Sequence, residues 1–579
     1  TYFKGRFNIV HPDIDVLSDL DKHPASFLQP VYSTTEKLSA KGLNSRGISK
    51  LTKLLLSHIK DNIDETLSDS MVKRLKISKR EAMHHIHFPA NTTKLNQSRG
   101  FLKFEELFFL QLHLLKTRMK RVAKSKGYSF AKVGDYFNSF YNNYLSFELT
   151  GAQKRVLKEI RADLRKKEQM NRLLQGDVGS GKTLVALLSM LIAIDNNYQT
   201  CIMVPTEILA HQHFNTISSL LSELDIRVDL LTGSTKNKIR TEIYQNLEDG
   251  NTNILIGTHA LLEDKVVFQD LGLAIIDEQH RFGVVQRSKL WRKNKYPPHI
   301  LVMTATPIPR TLSMTLYGDL DVSVIDEMPP GRKNIKTIWR SESSRLQIID
   351  FVRKQVREGR QIYIVYPLIK ESEKLDYKNL IDGFESIVRE FPLPDYQVSV
   401  VHGKMKPEEK EYEMKRFVDG VTNIMVSTTV IEVGVDVPNA SVMIIESAER
   451  FGLSQLHQLR GRVGRGSEQS YCILVSGVKV SKEGKIRLKT MSSTNDGFKI
   501  SEVDLEIRGP GDMMGTKQSG LLDFKIADIV TDGKILSAAR KAANQLLIDD
   551  PNIQDLKNAN IYKGYSIYSK EKLGWNRIS

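Results

Sequence analysis

The residues best suited to chemistry form an octet, Gly176 to Thr183, that spells G-x-x-x-x-G-K-T. It lies between an apolar run ending at Leu174 and a second run, Leu184 to Ile194, that is long enough for a buried helix. Such a glycine-rich turn lets backbone N–H groups approach phosphate oxygens, and the helix N-terminus adds a favourable dipole. Lys182 would then reach the β- and γ-phosphates of a nucleoside triphosphate, and the Thr183 hydroxyl would bind Mg²⁺. The other nucleotide contacts predicted within the octet are Gly176, Asp177, Gly179, Ser180 and Gly181.

Two carboxylates follow another apolar strand, where Ile275 and Ile276 precede Asp277 and Glu278. In this position Asp277 would hold Mg²⁺, and Glu278 would orient or deprotonate the attacking water. Thr304 and Thr306 follow a further strand, so their hydroxyls are expected at the same carboxyl edge of a sheet. For Thr306, which precedes Pro307, capping of a helix is the alternative.

A glycine-arginine segment later in the chain runs from Gln458 to Gly466 and holds Arg460, Arg462 and Arg465. Three arginines are poor core material, and guanidinium groups suit the charge on a transferring phosphoryl group. Because Arg462 and Arg465 are three apart, we expect them on one helical face, reaching across a cleft together. A basic patch that binds RNA is the alternative.

Short apolar runs that alternate with helical stretches must position these residues, and they predict parallel sheets covered on both faces. The first series is Arg172–Leu174, Cys201–Val204, Ile254–Ile256, Leu273–Ile276 and Ile300–Met303. After a break at Met328–Gly331, the second series is Ile362–Val365, Val398–Val401, Ile424–Val426, Val442–Ile445 and Tyr471–Val475. The fold class is therefore α/β, with two similar lobes and a cleft between them. We expect the lobes at residues 146–332 and 333–480.

The rest of the chain divides into three further regions: a short remnant over residues 1–30, a helical region over 31–145 and a small C-terminal region over 481–579. Helical spacing is clearest from Phe104 to Leu115. The basic residues from Lys116 to Lys126 fit either a solvated helix end or a phosphate-contacting patch, and the sequence leaves both open. The chain begins with Thr1, so we expect a fragment.

The composition of the chain indicates which kinds of binding partner and which cellular compartment to expect. The 579 residues carry a formal net charge of +16, which favours polyanionic partners such as nucleic acid or an anionic membrane face. Cys201 and Cys472 lie in apolar runs and fit core positions in a reducing compartment. No apolar run approaches the roughly 18–20 residues of a membrane span. The histidines at 84, 85 and 87 lack nearby cysteines or carboxylates, so we do not expect a zinc site there.

The order of these segments resembles superfamily 2 helicases, in which two tandem RecA-like lobes form an ATP-driven motor. The resemblance extends from Phe147 to about Val475 and implies catalytic roles for Lys182, Asp277, Glu278, Gln458, Arg462 and Arg465. It implies adenine reading by Phe147 and Gln153, nucleotide contacts by Gly434 and Asp436, and coupling through His280, Thr304 and Thr306. The nucleic-acid contacts that it implies are Pro205, Thr206, Thr258, His259, Thr428 and Thr429.

Within that superfamily the chain resembles the RecG family of branched-DNA helicases. The resemblance rests on Asp496–Ile500, Arg508–Asp512 and Gln518–Gly520, and on segments such as Ile86–Pro89 in the N-terminal half. It implies an N-terminal wedge domain, of which residues 1–30 would be the end, and DNA contacts by Arg508 and Gln518. A fragment without most of the wedge is expected to lose fork selectivity.

The same resemblance implies the cofactors ATP and Mg²⁺, branched double-stranded DNA and a single-strand-binding protein as partners, and no membrane. It also implies a monomer in the bacterial cytoplasm that associates with the nucleoid. Three alternatives stay open at this point. One is a duplex translocase that displaces bound proteins, like the transcription-repair coupling factor; the others are a nucleotide-gated clamp without turnover and an RNA helicase.

Overall fold

A computed structural model of the chain describes residues 2–3, 6–7, 28, 30–124, 127–278, 293–294, 296–304, 309, 320–367, 373–428, 437–464, 466, 468–513 and 524–575. The chain divides into two compact units. The first contains residues 1–116 and 518–579, and the second contains residues 117–517. The boundaries predicted from the sequence at 30, 145, 332 and 480 stay predictions.

The first unit is mainly helical, as expected. Its strands β1 (Tyr2–Phe3) and β2 (Arg6–Phe7) form a short antiparallel pair. Its helices are α1 (Glu36–Ala40), α2 (Ser45–His58), α3 (Asp69–Leu75), α4 (Lys79–His87), the first part of α5 (Thr92–Lys124), α17 (Gly533–Asp549) and α18 (Ala559–Trp575). The helix predicted from Phe104 to Leu115 is confirmed, since α5 covers this segment and the apolar side chains at its helical spacing are buried.

Before its first sheet, the second unit contains the end of α5, then α6 (Asp135–Ser139), a five-residue π-helix (Phe140–Tyr144) and α7 (Gly151–Leu164). Helix α7 starts at a capping box, in which the Thr150 hydroxyl accepts from the Gln153 N–H and the Gln153 amide oxygen accepts from the Thr150 N–H. These two bonds satisfy amide groups that a helix leaves unpaired at its N-terminus. They also fix the direction in which α7 starts.

A seven-stranded parallel sheet forms the first lobe. Its strands are β3 (Asn171–Gly176), β4 (Gln199–Met203), β5 (Val228–Leu231), β6 (Ile254–Gly257), β7 (Leu271–Ile276), β8 (His299–Thr304) and β9 (Asp321–Ile325). They lie in the order β5-β6-β4-β7-β8-β3-β9. Helices α8 (Lys182–Ile194), α9 (Glu207–Leu220) and α10 (Asn237–Glu248) connect them. Two hydrophobic cores, one on each face, bury β3, β4, β7 and β8 completely.

A six-stranded parallel sheet forms the second lobe. Its strands are β10 (Lys336–Ser341), β11 (Gln361–Val365), β12 (Val398–Val401), β13 (Ile424–Ser427), β14 (Ala440–Ile445) and β15 (Tyr471–Ser476), in the order β10-β15-β14-β11-β13-β12. The helices are α11 (Arg345–Arg357), α12 (Glu373–Glu390), α13 (Pro407–Val418) and α14 (Leu453–Arg460). The prediction of an α/β fold with two tandem parallel-sheet lobes is confirmed.

Two helices of the second unit follow the second sheet, α15 (Lys482–Ser493) and α16 (Gly497–Met513). Helix α16 bends at Gly509, where φ is +72°. Its first half packs on the second lobe through Ile500, Val503 and Ile507. Residues of the predicted C-terminal region thus share a core with the second lobe.

The two cysteines occupy core positions in the sheets, as the sequence indicates. Cys201 lies in β4 and Cys472 in β15, both buried and free. Burial raises the pKa of both thiols to about 12, so neither is poised to react. Within the described part of the chain, no helix has the length and apolar character needed to cross a bilayer.

Candidate nucleotide site between two motor lobes

The phosphate loop connects β3 to α8 at the carboxyl edge of the first sheet. Gly179 and Gly181 adopt φ values of +77° and +84°, which L side chains rarely adopt. Gly181 also has no room for a side chain, because a Cβ there would lie 2.2 Å from the Gln153 amide nitrogen. The backbone conformation therefore favours glycine at positions 179 and 181, and the loop ends at the N-terminus of a buried helix.

Lys182 is buried at the start of α8, with its ammonium folded onto the loop. It donates to the carbonyl oxygens of Gly176 and Asp177, both at 2.8 Å. Burial lowers the pKa of Lys182, and the negative charges of Asp277, Glu278 and Asp177 oppose that shift. These charges act on Lys182 because the two predicted motifs meet at one edge of the sheet.

Asp277 and Glu278 directly follow β7 and extend its line beyond the sheet. The Asp277 N–H donates to the Met203 carbonyl at 2.9 Å, and its carboxylate oxygens accept from the Glu278 N–H at 3.0 Å and contact His213 Nε2 at 3.2 Å. Burial raises the pKa of Asp277, but the bond to His213 and nearby charges outweigh it, so the pKa lies below its ordinary value. Asp277 is therefore held as a carboxylate.

Glu278 has a left-handed backbone, with φ at +51°. A non-glycine residue pays roughly 1–2 kcal/mol for this conformation, and such strain is often found where a side chain must be aimed at a ligand. Thr183 lies on the first turn of α8. Its hydroxyl and the Asp277 carboxylate are oxygen ligands of the kind that Mg²⁺ prefers, and their binding of Mg²⁺ stays a prediction.

Of the two residues predicted to read adenine, Gln153 contacts the phosphate loop. Gln153 uses its amide nitrogen to donate to the Ser180 carbonyl at 2.9 Å, and its amide oxygen caps α7. Phe147 is half exposed, and its ring is open to stacking. Gln153 therefore connects α7 to the phosphate loop, and adenine reading by both residues stays a prediction.

The second lobe meets the phosphate loop through α14 and the turn after it. A Cβ on Gly461 would lie 2.8–3.0 Å from the Val178 side chain, so the two backbones approach closely. The carboxylate of Asp177 contacts His457 Nε2 and accepts from the Gly497 N–H at 3.1 Å. The loop is therefore in contact with both the second lobe and the start of α16.

The arginines of the second lobe differ from their prediction in two respects. Helix α14 ends at Arg460, so Arg462 lies in the following turn, and the expectation that Arg462 shares a helical face with Arg465 is wrong. The glycine at 461 packs on Val178 and the glycine at 464 has φ +80°, which together end the helix early. Arg462 is nevertheless buried, and it directly follows Gly461, which packs on Val178 of the phosphate loop.

Arg460 is a core residue, contrary to the expectation for arginines here. It is 2% exposed, and its guanidinium donates to the carbonyls of Met491 at 2.9 Å and Thr494 at 2.8 Å. A second guanidinium nitrogen contacts His457 Nδ1 at 3.0 Å. Burial lowers the pKa of Arg460, but the carbonyl oxygens compensate the charge that burial would otherwise leave unpaired. Arg460 thus ties α14 to α15.

The predicted nucleic-acid contacts that the structure describes lie after strands of both sheets. Thr206 caps α9 through a 3.4 Å bond from the Leu209 N–H. His259 is exposed, whereas Thr258 and Thr428 are buried. Within the described residues, the hydroxyls of Thr258 and Thr428 have no hydrogen-bond partner. Such buried hydroxyls are uncommon, and a bound ligand would satisfy them.

Four further predicted residues lie on different elements. Gln458 lies half buried on α14, and Pro205 directly precedes the capping residue of α9. Thr304 ends β8 opposite Gln175, beside the strand that leads to the phosphate loop. Arg508, on α16, pairs with Asp504 at 3.0 Å and lies against Gly452. Seven predictions lie outside the described residues: His280, Thr306, Thr429, Gly434, Asp436, Arg465 and Gln518.

Three residues of this site have no signal in the sequence. His213 orients Asp277 and His457 contacts Asp177, both from positions far away in the chain. Arg332 donates to Val178 and Gly464. A histidine on a helix or an arginine after a glycine has no pattern of its own, so these roles follow only from the fold. Outside this site, among the histidines at 84, 85 and 87 of the first unit, His87 contacts the Tyr32 hydroxyl at 2.9 Å.

Family models match most of the second unit and the C-terminal region. The DEAD/DEAH box helicase model matches residues 150–315, and the helicase conserved C-terminal domain model matches residues 345–467. A third model, described as ATP-dependent DNA helicase RecG, domain 3, C-terminal, matches residues 494–579.

Curated proteins named ATP-dependent DNA helicase RecG are similar along nearly the whole chain. The protein from Synechocystis sp. is 47% identical over 554 residues, which cover 94% of this chain and 66% of that protein. The protein from Bacillus subtilis is 46% identical over 524 residues, which cover 90% of this chain and 76% of that protein. A solved structure described as RecG bound to a three-way DNA junction aligns with a TM-score of 0.66 and 42% identity, over 88% of this chain and 66% of that one. The chain thus spans about two thirds to three quarters of the length of these relatives.

Proposed function

The chain belongs to the ATP-dependent DNA helicase RecG family, and on this premise we propose that it couples ATP hydrolysis to movement on branched DNA. One observation carries the proposal: the phosphate loop of the first lobe touches the arginine-bearing turn of the second lobe through Val178 and Gly461. A nucleotide site built from both lobes changes their relative position when the nucleotide changes. Such a change is what a motor requires.

In the proposed reaction, the residues of the first lobe bind and orient ATP. Lys182 exchanges its two carbonyl partners for the β- and γ-phosphate oxygens, which are charged and therefore stronger acceptors. Glu278 accepts the proton of the attacking water or orients it in line with the γ-phosphate. Mg²⁺, held through Thr183 and Asp277, would neutralise charge on the phosphates when it is bound. His213 keeps Asp277 in place.

The second lobe supplies Arg462, and we propose the same for Arg465. A guanidinium beside the phosphates stabilises the charge of the transition state. Because Asp177 contacts both His457 and Gly497, a movement of the phosphate loop also displaces α14 and α16. Helix α16 carries Arg508, which we propose as a DNA contact.

Charge and unsatisfied hydroxyls support nucleic acid as the polymer. A net charge of +16 favours a polyanion, and the buried hydroxyls of Thr258 and Thr428 suit phosphate oxygens. The relative solved with a three-way DNA junction supports branched DNA in particular. The family model over residues 494–579 is that of RecG, and no observation favours a duplex translocase of the coupling-factor type.

The proposal implies the nucleoid as the location, since branched DNA arises there. The predicted monomer and the predicted single-strand-binding partner have no structural observation behind them and stay predictions.

A labelled three-way junction tests the proposed activity. We expect the chain to release a strand from the junction in the presence of ATP and Mg²⁺ but not with ADP. The Lys182→Ala variant should bind the junction and release nothing, because its phosphate contact is lost. If ATP is hydrolysed on the junction without release or movement, the helicase assignment is wrong.

A further inference from the structure

An arginine that belongs to no predicted motif contacts the phosphate loop from the segment between the two lobes. Arg332 lies after β9 and before β10, just past Gly331, which turns the chain with φ at +85°. Its guanidinium donates to the Val178 carbonyl at 2.7 Å through Nη1. It also donates to the Gly464 carbonyl at 2.9 Å through Nε. Arg332 therefore contacts the phosphate loop and the turn after α14 at the same time.

The guanidinium lies directly on the apex of the loop. A Cβ on Gly179 would be 1.8 Å from Nη1 of Arg332 and 2.8 Å from its Cζ. In loops of this kind, the lysine marks the end of the site that holds the β- and γ-phosphates. Lys182 donates to the carbonyls of Gly176 and Asp177, and Arg332 donates to the next carbonyl of the loop, that of Val178. Two cations thus converge on the place where the terminal phosphate is expected.

The chemistry of the present partners favours an anionic ligand. Within the described residues, the acceptors at Val178 and Gly464 are neutral carbonyls, whereas a phosphate oxygen is charged and forms shorter and stronger bonds. A guanidinium offers five N–H donors in a planar fork, so it can keep a carbonyl and still bind a phosphate oxygen. A purely structural tie between the lobes would not require a cation beside Lys182.

We propose that Arg332 binds the γ-phosphate of ATP, so that the segment joining the lobes senses whether the nucleotide is a triphosphate. This proposal rests on the proposed ATP site. It is separate from the roles of Arg462 and Arg465, because Arg332 precedes the second sheet and approaches the loop from the connecting segment. Loss of the γ-phosphate removes its charged acceptor, and the arginine returns to the carbonyls of Val178 and Gly464.

The test measures nucleotide affinity in the full chain without turnover. Arg332→Ala, Arg332→Lys and the matched control Lys333→Ala, which removes the exposed cation next to it, are titrated with a non-hydrolysable ATP analogue and with ADP in Mg²⁺. We expect Arg332→Ala to bind the analogue at least about tenfold more weakly, the usual effect of losing a bond to a charged group. Its ADP affinity should stay within about twofold, and Arg332→Lys should recover part of the loss. Lys333→Ala should match the unaltered chain.

The outcomes separate this inference from the function on which it rests. If the unaltered chain binds no triphosphate, both the ATP site and the role of Arg332 are wrong. If the unaltered chain binds the analogue and both Arg332 variants bind the analogue as tightly as the unaltered chain does, only the inference is overturned. An equal loss of ADP and analogue affinity in both variants also overturns it, because Arg332 would then support the loop and not the γ-phosphate.

Discussion

At the scale of single residues, the site depends on groups held in states that an exposed side chain would not adopt. The ammonium of Lys182 is buried on two carbonyl oxygens, and Asp277 is kept ionised by His213 although it is buried. Glu278 carries a left-handed backbone. These features cost stability, and they are consistent with a site preorganised for a polyanionic ligand.

Glu278→Gln tests the residue that we propose to act on water. Glutamine keeps the size of the side chain but cannot accept a proton, so turnover should fall by at least about 10²-fold. ATP affinity should stay within about threefold, because Glu278 is not proposed to bind the phosphates. Steady-state ATPase assays and nucleotide titration measure the two quantities.

Glu248→Gln, at the exposed end of α10, is the matched control for the charge change. It should leave both quantities unchanged. Undiminished turnover in Glu278→Gln would assign the attack on water to another group.

At the scale of elements, the candidate site depends on strands that end together and on one close approach between lobes. Strands β3, β7 and β8 are adjacent, which brings the phosphate loop, Asp277 and Thr304 to one edge. Gly461, at the end of helix α14, approaches that edge. Arg460 connects α14 to α15 through its bond to the Met491 carbonyl. The elements are rigid because β3, β7 and β8 are buried on both faces.

Gly461→Val tests the approach between the lobes. Because even a Cβ at this position would lie 2.8 Å from Val178, the larger side chain should hold the lobes apart. We expect ATPase turnover to fall at least about tenfold while the first lobe still binds nucleotide, since a misplaced group costs rate more than binding. ATPase rate and nucleotide affinity are measured side by side.

Gly403→Val is the control, because a Cβ at Gly403 has no atom within 4 Å. Equal activity of the two variants would mean that the close approach is not needed for turnover.

His299, the first residue of β8, makes the first lobe sensitive to acid. It is buried, accepts from the Met170 N–H at 2.9 Å and contacts the Tyr128 carbonyl at 2.9 Å. Burial lowers the pKa of His299 to about 4, whereas the unfolded chain titrates near 6.5. The unfolded state therefore binds the proton first, so the contribution of the neutral ring is complete above pH 6.5 and is lost as the pH falls towards 4. At pH 5 the loss is about 2 kcal/mol.

Urea unfolding of the chain at pH 7 and pH 5, monitored on the first lobe, measures this dependence. In His299→Gln the difference between the two pH values should shrink by a similar amount. An unchanged difference would show that other groups cause the acid sensitivity.

At the scale of the whole molecule, local patterns predicted the chemistry and the class of fold but not the contacts across the chain. The octet that starts at Gly176 is one unbroken stretch of sequence, and so is the strand that ends at Asp277. The local rules for turns and strands therefore identify each of them. Strands β5, β9 and β10 were not predicted, because they are only partly buried and so lack a continuous apolar run.

The contacts that join the lobes link residues far apart in the chain. His457 is 280 positions from Asp177, and Arg332 is 154 positions from Val178. No spacing in the sequence encodes such pairs. The burial of Arg460 was missed for the same reason, since its carbonyl partners come from α15 and the turn after it.

In the proposed function, two lobes share an ATP site in a chain with a net charge of +16, and DNA controls the ATPase. The most direct measurement is the steady-state ATPase rate without DNA and with single strands, linear duplex, forks and a three-way junction, at one salt concentration. We predict that branched DNA raises the rate at least about tenfold over the rate without DNA, and that added salt removes the increase as phosphate contacts weaken. A rate that is the same with and without every DNA would contradict the account.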